Sequence, residues 1–142
     1  MAIKNYTTTV PANRSIEEIQ KSLVEHGAIG VLYEYEKGTG RIAGLRFVLD
    51  VKGKNINFSL PVQWHMFQEV IKQDGIKRWN DEDYCYRVAW RCLRDWVLAQ
   101  MALYETQMVE MPQIFLPFAT AQNGQTLYQQ IQQGNFLLGN GE

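Results

Sequence analysis

The sequence has no long hydrophobic run. None of its apolar stretches approaches the roughly 20 residues that a helix needs to cross a bilayer, so we expect no membrane segment. No apolar stretch follows Met1, which argues against a secretory signal peptide. We therefore expect a cytoplasmic protein.

Cysteine and net charge are also scarce. The two cysteines, Cys85 and Cys92, are seven positions apart in a predicted helix, and a rise of about 10 Å is too far for a disulfide. Reduced thiols fit the cytoplasm. The net charge is −1 and the isoelectric point about 6.1, which excludes bulk electrostatic attraction to nucleic acid or membranes. Any basic site must be a local cluster.

Motifs of catalytic and metal centres are missing. The two histidines, His26 and His65, have no cysteine or carboxylate at ligand spacing, so no metal site is predicted. Gly38 and Gly40 lie in a predicted hairpin and do not open a helix, which excludes a glycine-rich phosphate loop. No nucleophile elbow or triad motif is present. We predict no catalytic residue, no metal, no cofactor and no enzyme activity, although a site assembled across the fold would leave no local motif.

The sequence does contain enough apolar material for one packed domain. Hydrophobic residues make up 46% of the 142 residues, which predicts a single domain over residues 1–142. Three strand-like runs, 28–35, 42–51 and 55–60, are separated by glycine-containing turns and predict an antiparallel β-meander. The β-branched residues of Tyr6–Val10 predict an additional first strand.

Helices are predicted before and after the meander in the chain. Ser15 and Glu18 have the spacing of a capping box, which opens a helix that Gly27 ends. A short helix is predicted over Val62–Gln73, closed at Gly75.

The second half of the chain is dominated by one long predicted helix. It begins after Asn80 or Asp81 and runs to about Met111, where Pro112 ends it. The remaining predictions are an extended apolar segment over 114–118, a helix over 125–132 and a loose tail over 134–142. The predicted fold class is therefore α+β, with an antiparallel β-meander packed against the long helix and shorter helices.

A line of arginines follows one side of the long helix. Arg87, Arg91 and Arg94 have the spacing i, i+4, i+7, which places three guanidinium groups in a row. An anion would relieve their mutual repulsion, and arginine suits bidentate contacts to phosphate. The alternative is a solvated face on which carboxylates such as Asp83 and Asp95 pair with the arginines.

Aromatic residues could complete a nucleotide site beside the arginines. Stacking on a nucleobase next to arginine is a common way to hold a nucleotide, and core packing is the alternative for each aromatic residue. The predicted ligand-binding residues are Arg87, Arg91, Arg94, Trp64, His65, Tyr84 and Phe118.

The apolar face of the long helix is wider than one sheet would cover. It includes Val88, Trp96 and Leu103, and the methionines Met101 and Met108 lie on the same helix. This width predicts a homo-oligomer built partly on the helix. An ordinary large core is the alternative.

Four stretches resemble a widespread group of small phage and prophage proteins, and together they cover most of the chain. They are YTTTVPANRSIEEIQKSLVEHGA at Tyr6–Ala28, FSLPV at Phe58–Val62, RVAWRCLRDWVLAQMALYETQMVEM at Arg87–Met111 and IFLPF at Ile114–Phe118. Among characterised phage proteins of this size and layout, the chain is similar to the Thoeris anti-defence family of signal sponges. The family's ligand contacts have no position-by-position match here, so the site residues rest on the patterns above.

The resemblance implies a function in the cytoplasm of the bacterial host. Members of that family form homo-oligomers that capture cyclic ADP-ribose isomers made by bacterial TIR proteins, and some take up cyclic oligonucleotides. We therefore expect an anti-defence protein that sequesters a small nucleotide signal without cleaving it. The alternatives are an inhibitor that binds a host defence or CRISPR protein directly, and a nucleic-acid-binding accessory factor, against which the absence of net positive charge counts.

Overall fold

A computed structural model of the chain describes residues 3–134 and confirms the α+β fold class. The predicted tail beyond Gly134 lies outside these residues. Within them, no helix has the length and hydropathy of a membrane span. In chain order the elements are α1 (Ala12–Glu25), β1 (Gly30–Tyr35), β2 (Ile42–Val51), β3 (Lys54–Pro61), α2 (Trp64–Gln73), α3 (Glu82–Glu105), α4 (Met111–Phe115) and α5 (Leu127–Gln132), with 3-10 turns at Lys77–Asn80 and Leu116–Phe118.

The three strands form the antiparallel meander that the sequence predicts, in the order β1-β2-β3. Phe47 at the centre of β2 lies opposite Val31 of β1 and Phe58 of β3. Alternation along β2 sends its buried side chains to one face, where they meet the helices. The β2–β3 turn places Lys52 and Gly53 at positive φ, 52° and 85°, as a tight hairpin turn requires.

Gly44 lies where β2 approaches the end of β3 too closely for a side chain. A Cβ atom at this position would come within 2.9 Å of the Leu60 carbonyl oxygen and 3.1 Å of the Pro61 Cα atom. Both neighbours are backbone atoms in a paired strand, so they cannot move without disturbing the sheet.

Replacing Gly44 with alanine should therefore destabilise the protein by about 1–3 kcal/mol, the usual cost of overpacking. Urea denaturation followed by circular dichroism would measure the loss. Gly30→Ala is a matched control, because a Cβ atom on that strand glycine meets nothing within 4 Å. Equal stability of the two variants would show that the close approach at Gly44 does not constrain the sheet.

The long helix α3 is buried from several sides within one chain. Asp81 caps it by accepting a hydrogen bond from the Tyr84 backbone amide, and α1 and α2 both pack against it. The Tyr86 hydroxyl donates to the Ile42 carbonyl oxygen at 3.0 Å and accepts from the Ile42 amide at 2.8 Å, which ties α3 to β2. Several sides of α3 are therefore covered within the protomer, and the homo-oligomer stays a prediction.

Phenylalanines connect the sheet to the C-terminal part of the core. The Phe47 and Phe58 rings stack with centroids 5.3 Å apart, and the Phe115 ring meets Phe47 edge-on at 4.9 Å. Trp96 of α3 packs on the other side of Phe115 at 5.9 Å. One continuous apolar core thus joins the meander, α3 and α4.

The predicted first strand over Tyr6–Val10 is wrong. This segment is irregular, and side chains supply some of the hydrogen bonds to its backbone. The Tyr84 hydroxyl donates to the Tyr6 carbonyl oxygen at 2.8 Å, and the Cys92 thiol donates to the Lys4 carbonyl oxygen at 3.3 Å. The Thr8 hydroxyl accepts from the Val10 amide, a local bond that competes with strand pairing. Residues 3–10 consequently lie along α3.

The predicted capping box at Ser15 and Glu18 is also wrong. Helix α1 begins at Ala12, one turn earlier, with Pro11 at the N-cap and no side-chain cap. Ser15 is buried inside the first turn, and Glu18 faces α3. The Glu18 carboxylate pairs with arginines of α3 and does not cap the helix.

The end of the long helix differs from its prediction as well. Helix α3 ends at Glu105, and Gln107 reverses the chain with a φ of 65°. Pro112 lies in the first turn of α4, a position that proline favours, so it starts a helix and does not end one. The segment 114–118, which the sequence predicts to be extended, is helical. The Phe115 side chain of this segment packs against Phe47 in the core.

Candidate functional site

Two of the three predicted arginines are engaged by a glutamate of α1. The Glu18 carboxylate accepts from Arg94 Nε at 2.6 Å and from Arg91 Nη1 at 3.1 Å. Burial on its own would raise the pKa of Glu18, but the hydrogen bond and charge of Arg94, with Arg91 and Arg14, outweigh it and lower the pKa. Arg94 also contacts Asp95 at 3.1 Å. These two arginines therefore pair with carboxylates, as the alternative has it, but at a half-buried contact between α1 and α3 and not on a solvated face.

Arg87 is in a different situation from Arg91 and Arg94. It is half-buried and has no ion pair within residues 3–134. Its Nε atom is buried without a hydrogen-bond acceptor. Leaving a buried donor unsatisfied costs roughly 1–3 kcal/mol, and more for a charged group. The Nε atom itself is closed to solvent, but Arg87 as a whole is partly exposed, so an anion from outside the protein could still pair with its charge.

Arg87 shares one aromatic ring with a second arginine that the sequence analysis did not single out. The guanidinium carbon of Arg78 lies 4.3 Å from the centre of the Tyr84 ring, and that of Arg87 lies 5.9 Å from it. Asp81, the N-cap residue of α3, binds Arg78 at 3.1 Å. We call Arg78, Tyr84 and Arg87 the arginine corner.

An exposed tryptophan is next to the arginine corner in the chain. Trp79 follows Arg78 in the 3-10 turn and keeps 36% of its surface exposed. The Lys72 ammonium group lies 4.7 Å above the indole ring. Cationic groups beside an accessible aromatic ring suit an anion that carries a flat base. The run KRWN at Lys77–Asn80 is the sequence signal that could have indicated this place.

The carboxylate of the corner is held in its charged form. The backbone amide of Tyr84 is the main cause that lowers the pKa of Asp81, followed by the hydrogen bond from Arg78, and the charge of Arg87 adds to the effect. An ionised aspartate that accepts several hydrogen bonds cannot serve as a general acid near neutral pH. The corner can position and neutralise an anion.

Trp64 and His65 meet in a second cluster, around Glu36. The Glu36 carboxylate accepts from Trp64 Nε1 at 3.1 Å and contacts His65 Nε2 at 3.2 Å. Hydrogen bonding from Thr39 is the largest cause that lowers the pKa of Glu36, with Trp64 and His65 adding to it. Trp64 is fully buried, so its ring cannot stack on a base. This cluster fastens the start of α2 to the β1–β2 hairpin.

The remaining predicted aromatics also serve the core. Tyr84 is buried, with its ring against the two arginines of the corner. Phe118 is half-buried, and its ring meets Trp96 edge-on at 6.3 Å. The structure thus brings together Arg91 with Arg94, Arg87 with Tyr84, and Trp64 with His65. It leaves Phe118 in the core and supplies Trp79 as the accessible ring.

Comparison with known proteins gives no assignment. No protein family, curated protein or solved structure matches the chain. Within residues 3–134 no group of three or more histidine, cysteine, aspartate or glutamate side chains is placed to hold a metal ion. Both cysteines are free thiols.

Proposed function

We propose that the protein binds a small nucleotide signal at the arginine corner and sequesters it without cleaving it. The observation that supports this most is Arg87, a half-buried arginine with no ion pair within residues 3–134 that lies over the Tyr84 ring beside Arg78. A phosphate oxygen would pair with the partly exposed Arg87 side chain, and Arg78, which already pairs with Asp81, would add positive charge beside it. Trp79 would stack on the base. Of the three predicted arginines, Arg87, Arg91 and Arg94, the proposal keeps Arg87 as a ligand contact.

A phage-type anti-defence role follows from the same proposal. A sequestering protein needs affinity without turnover, and binding energy spent equally on ground state and transition state gives affinity alone. The candidate ligands are a cyclic ADP-ribose isomer and a cyclic oligonucleotide, as the family resemblance implies. Arginine and tryptophan side chains supply positioning and charge neutralisation for either ligand.

Titration calorimetry with cyclic ADP-ribose isomers and cyclic dinucleotides tests the proposal. Arg87→Ala should weaken binding by about 1.5–3 kcal/mol, the range for a hydrogen bond to a charged group, while the protein stays folded. Arg46→Ala is the matched control, because Arg46 is an exposed arginine that pairs with Glu34 on the sheet. Equal affinity of the Arg87 variant and wild type would remove the arginine corner as the site.

The fate of the ligand separates a sponge from an enzyme. Heating the loaded complex should release the nucleotide with unchanged mass and unchanged ability to activate its host effector. A linear or hydrolysed product would show catalysis, and His65→Ala with Glu36→Gln would then be the variants to measure, because those side chains form a histidine–carboxylate pair.

A second candidate function is direct binding to a host protein. The observation that favours it is the uncovered outer edge of β1, which carries exposed apolar side chains. This edge lies apart in sequence from the arginine corner and can be tested separately.

A further inference from the structure

One edge of the β-sheet is open. Within residues 3–134, strand β1 pairs only with β2, so its other side presents backbone amides and carbonyls that no other described strand pairs with. The opposite edge, on β3, is partly covered. Ala119 bridges to Phe58, and the Thr120 amide donates to the Asn57 carbonyl oxygen at 2.8 Å. Of the two sheet edges, β1 is therefore the one available for pairing.

Strand β1 lacks the residues that usually block an open edge. Its sequence, GVLYEY, contains no lysine and no proline. Leu32 is 57% exposed and Tyr35 is 63% exposed, and Ile29 just before the strand is 61% exposed. The register shifts between Glu34 and Tyr35, which leaves Gly30–Glu34 as a regular run. Five residues are enough to pair with a short extended segment.

Helix α1 stands beside this edge and completes a groove. The Tyr33 hydroxyl donates to the Gln20 side chain. The groove consists of two hollows, and Tyr33 lines both of them. The smaller hollow has a volume of about 370 Å³ and is lined by Gln20, Val31, Leu32, Tyr33 and Tyr35. The larger has a volume of about 500 Å³ and is lined by Asn13, Glu17, Tyr33, Tyr35, Arg41 and Asp83, among others.

Of the charged side chains that line the larger hollow, the negative Glu17 is the one without an ion-pair partner within residues 3–134. Arg41 is held by Asp83 at 2.8 Å and lies 4.9 Å from the centre of the Trp64 ring, so its charge is already engaged. Glu17 is exposed and has no cation within 4.0 Å among residues 3–134. Burial, followed by the charge of Glu17, raises the pKa of Tyr33, consistent with a carboxylate near that ring. A carboxylate beside tyrosine rings suits a lysine or arginine side chain.

We propose that the open edge of β1 binds an extended segment of a partner protein with basic residues at alternating positions. Its backbone would pair with Gly30–Glu34 as a fourth strand. Because side chains of a strand alternate between faces, every second residue would point toward α1, where Glu17 and the tyrosine rings lie. A second copy of this chain is a poorer occupant, since its own β1 carries one glutamate and no basic residue. The proposal uses none of the residues of the arginine corner.

A displayed peptide library against the immobilised full chain would test this. One library fixes lysine or arginine at positions 4, 6 and 8 of twelve and randomises the rest, and a matched library fixes glutamate or aspartate there. We expect at least tenfold greater enrichment from the basic library. A selected peptide should slow hydrogen exchange of the outward-facing amides within Gly30–Glu34. Equal enrichment, no enrichment, or protection elsewhere would overturn the proposal.

Charge reversal in the groove gives the second arm. Glu17→Lys should weaken the selected peptide at least tenfold, and Leu32→Lys, which adds a blocking residue at the exposed edge, should do the same. Glu25→Lys is the control, because Glu25 is exposed at the other end of α1. Thermal unfolding checks that each variant is folded. Peptide affinity that is unchanged in the Glu17→Lys variant would contradict the proposal of a basic partner segment. A dimer whose β1 amides are protected from exchange without peptide would also contradict it.

Discussion

Replacing Phe47 with alanine should destabilise the protein by about 3–5 kcal/mol, the range for removing a buried phenylalanine. Phe47 has no exposed surface and contacts both Phe58 and Phe115. Its removal deletes the ring that joins the sheet to α4, and two rings fixed on different elements cannot close the gap without moving those elements. Urea denaturation should show a lower midpoint with an unchanged slope.

A matched aromatic residue on the same sheet provides the control for this loss. Tyr35 is 63% exposed, so Tyr35→Ala should change the free energy of unfolding by no more than about 0.5 kcal/mol. A Phe47→Ala variant within about 1 kcal/mol of wild type would mean that the core does not depend on the sheet–α4 contact.

Replacing Glu18 with glutamine should have the second-largest effect. The glutamate serves two half-buried arginines of α3 at once, and its loss leaves both with reduced pairing. Hydrogen bonds to charged groups contribute about 1.5–3 kcal/mol. We expect a loss in that range at neutral pH. Glu34→Gln, which breaks an exposed pair with Arg46, should cost less than about 1 kcal/mol.

The Glu18 contribution should depend on pH in a defined direction. Because Arg94 and Arg91 lower the pKa of this carboxyl below its ordinary value of 4.5, the folded state holds the ionised form more strongly than the unfolded state. The resulting stability is complete above about pH 4.5 and is lost as the pH falls through the lowered pKa. The difference between wild type and Glu18→Gln should therefore be largest near neutral pH and shrink in acid. A difference that is constant from pH 7 to pH 3.5 would contradict the ion-pair account.

The meander could be predicted from sequence because its signals are local. The turns around Gly38 and Gly53 fix the two hairpins, and alternation of apolar residues along β2 fixes which face is buried. Helix α3 could be located for a similar reason, since Asp81 caps its start within three residues. In each case the residues that decide the structure are close together in the chain.

The errors arose where distant residues decide the outcome. The spacing of Ser15 and Glu18 fits a capping box, but the Glu18 carboxylate binds Arg91 and Arg94, which are 73 and 76 positions away. Residues 6–10 have strand composition, yet the Tyr84 hydroxyl occupies the backbone carbonyl of Tyr6. Spacing along one helix likewise grouped Arg87 with Arg91 and Arg94. Only the placement of Glu18 separates them, and no pattern within the helix contains that information.

The course of residues 3–10 along α3 has a consequence for how the chain is made. This segment leaves the ribosome before the partners that hold it, from Tyr84 to Asp95, which are synthesised 78–90 residues later. At roughly 5–20 residues per second, that interval lasts several seconds. Strands β1 to β3 pair with their neighbours in the chain and can form during it. Residues 4–6 can therefore make their contacts with α3 only after α3 has emerged, later than the strands pair.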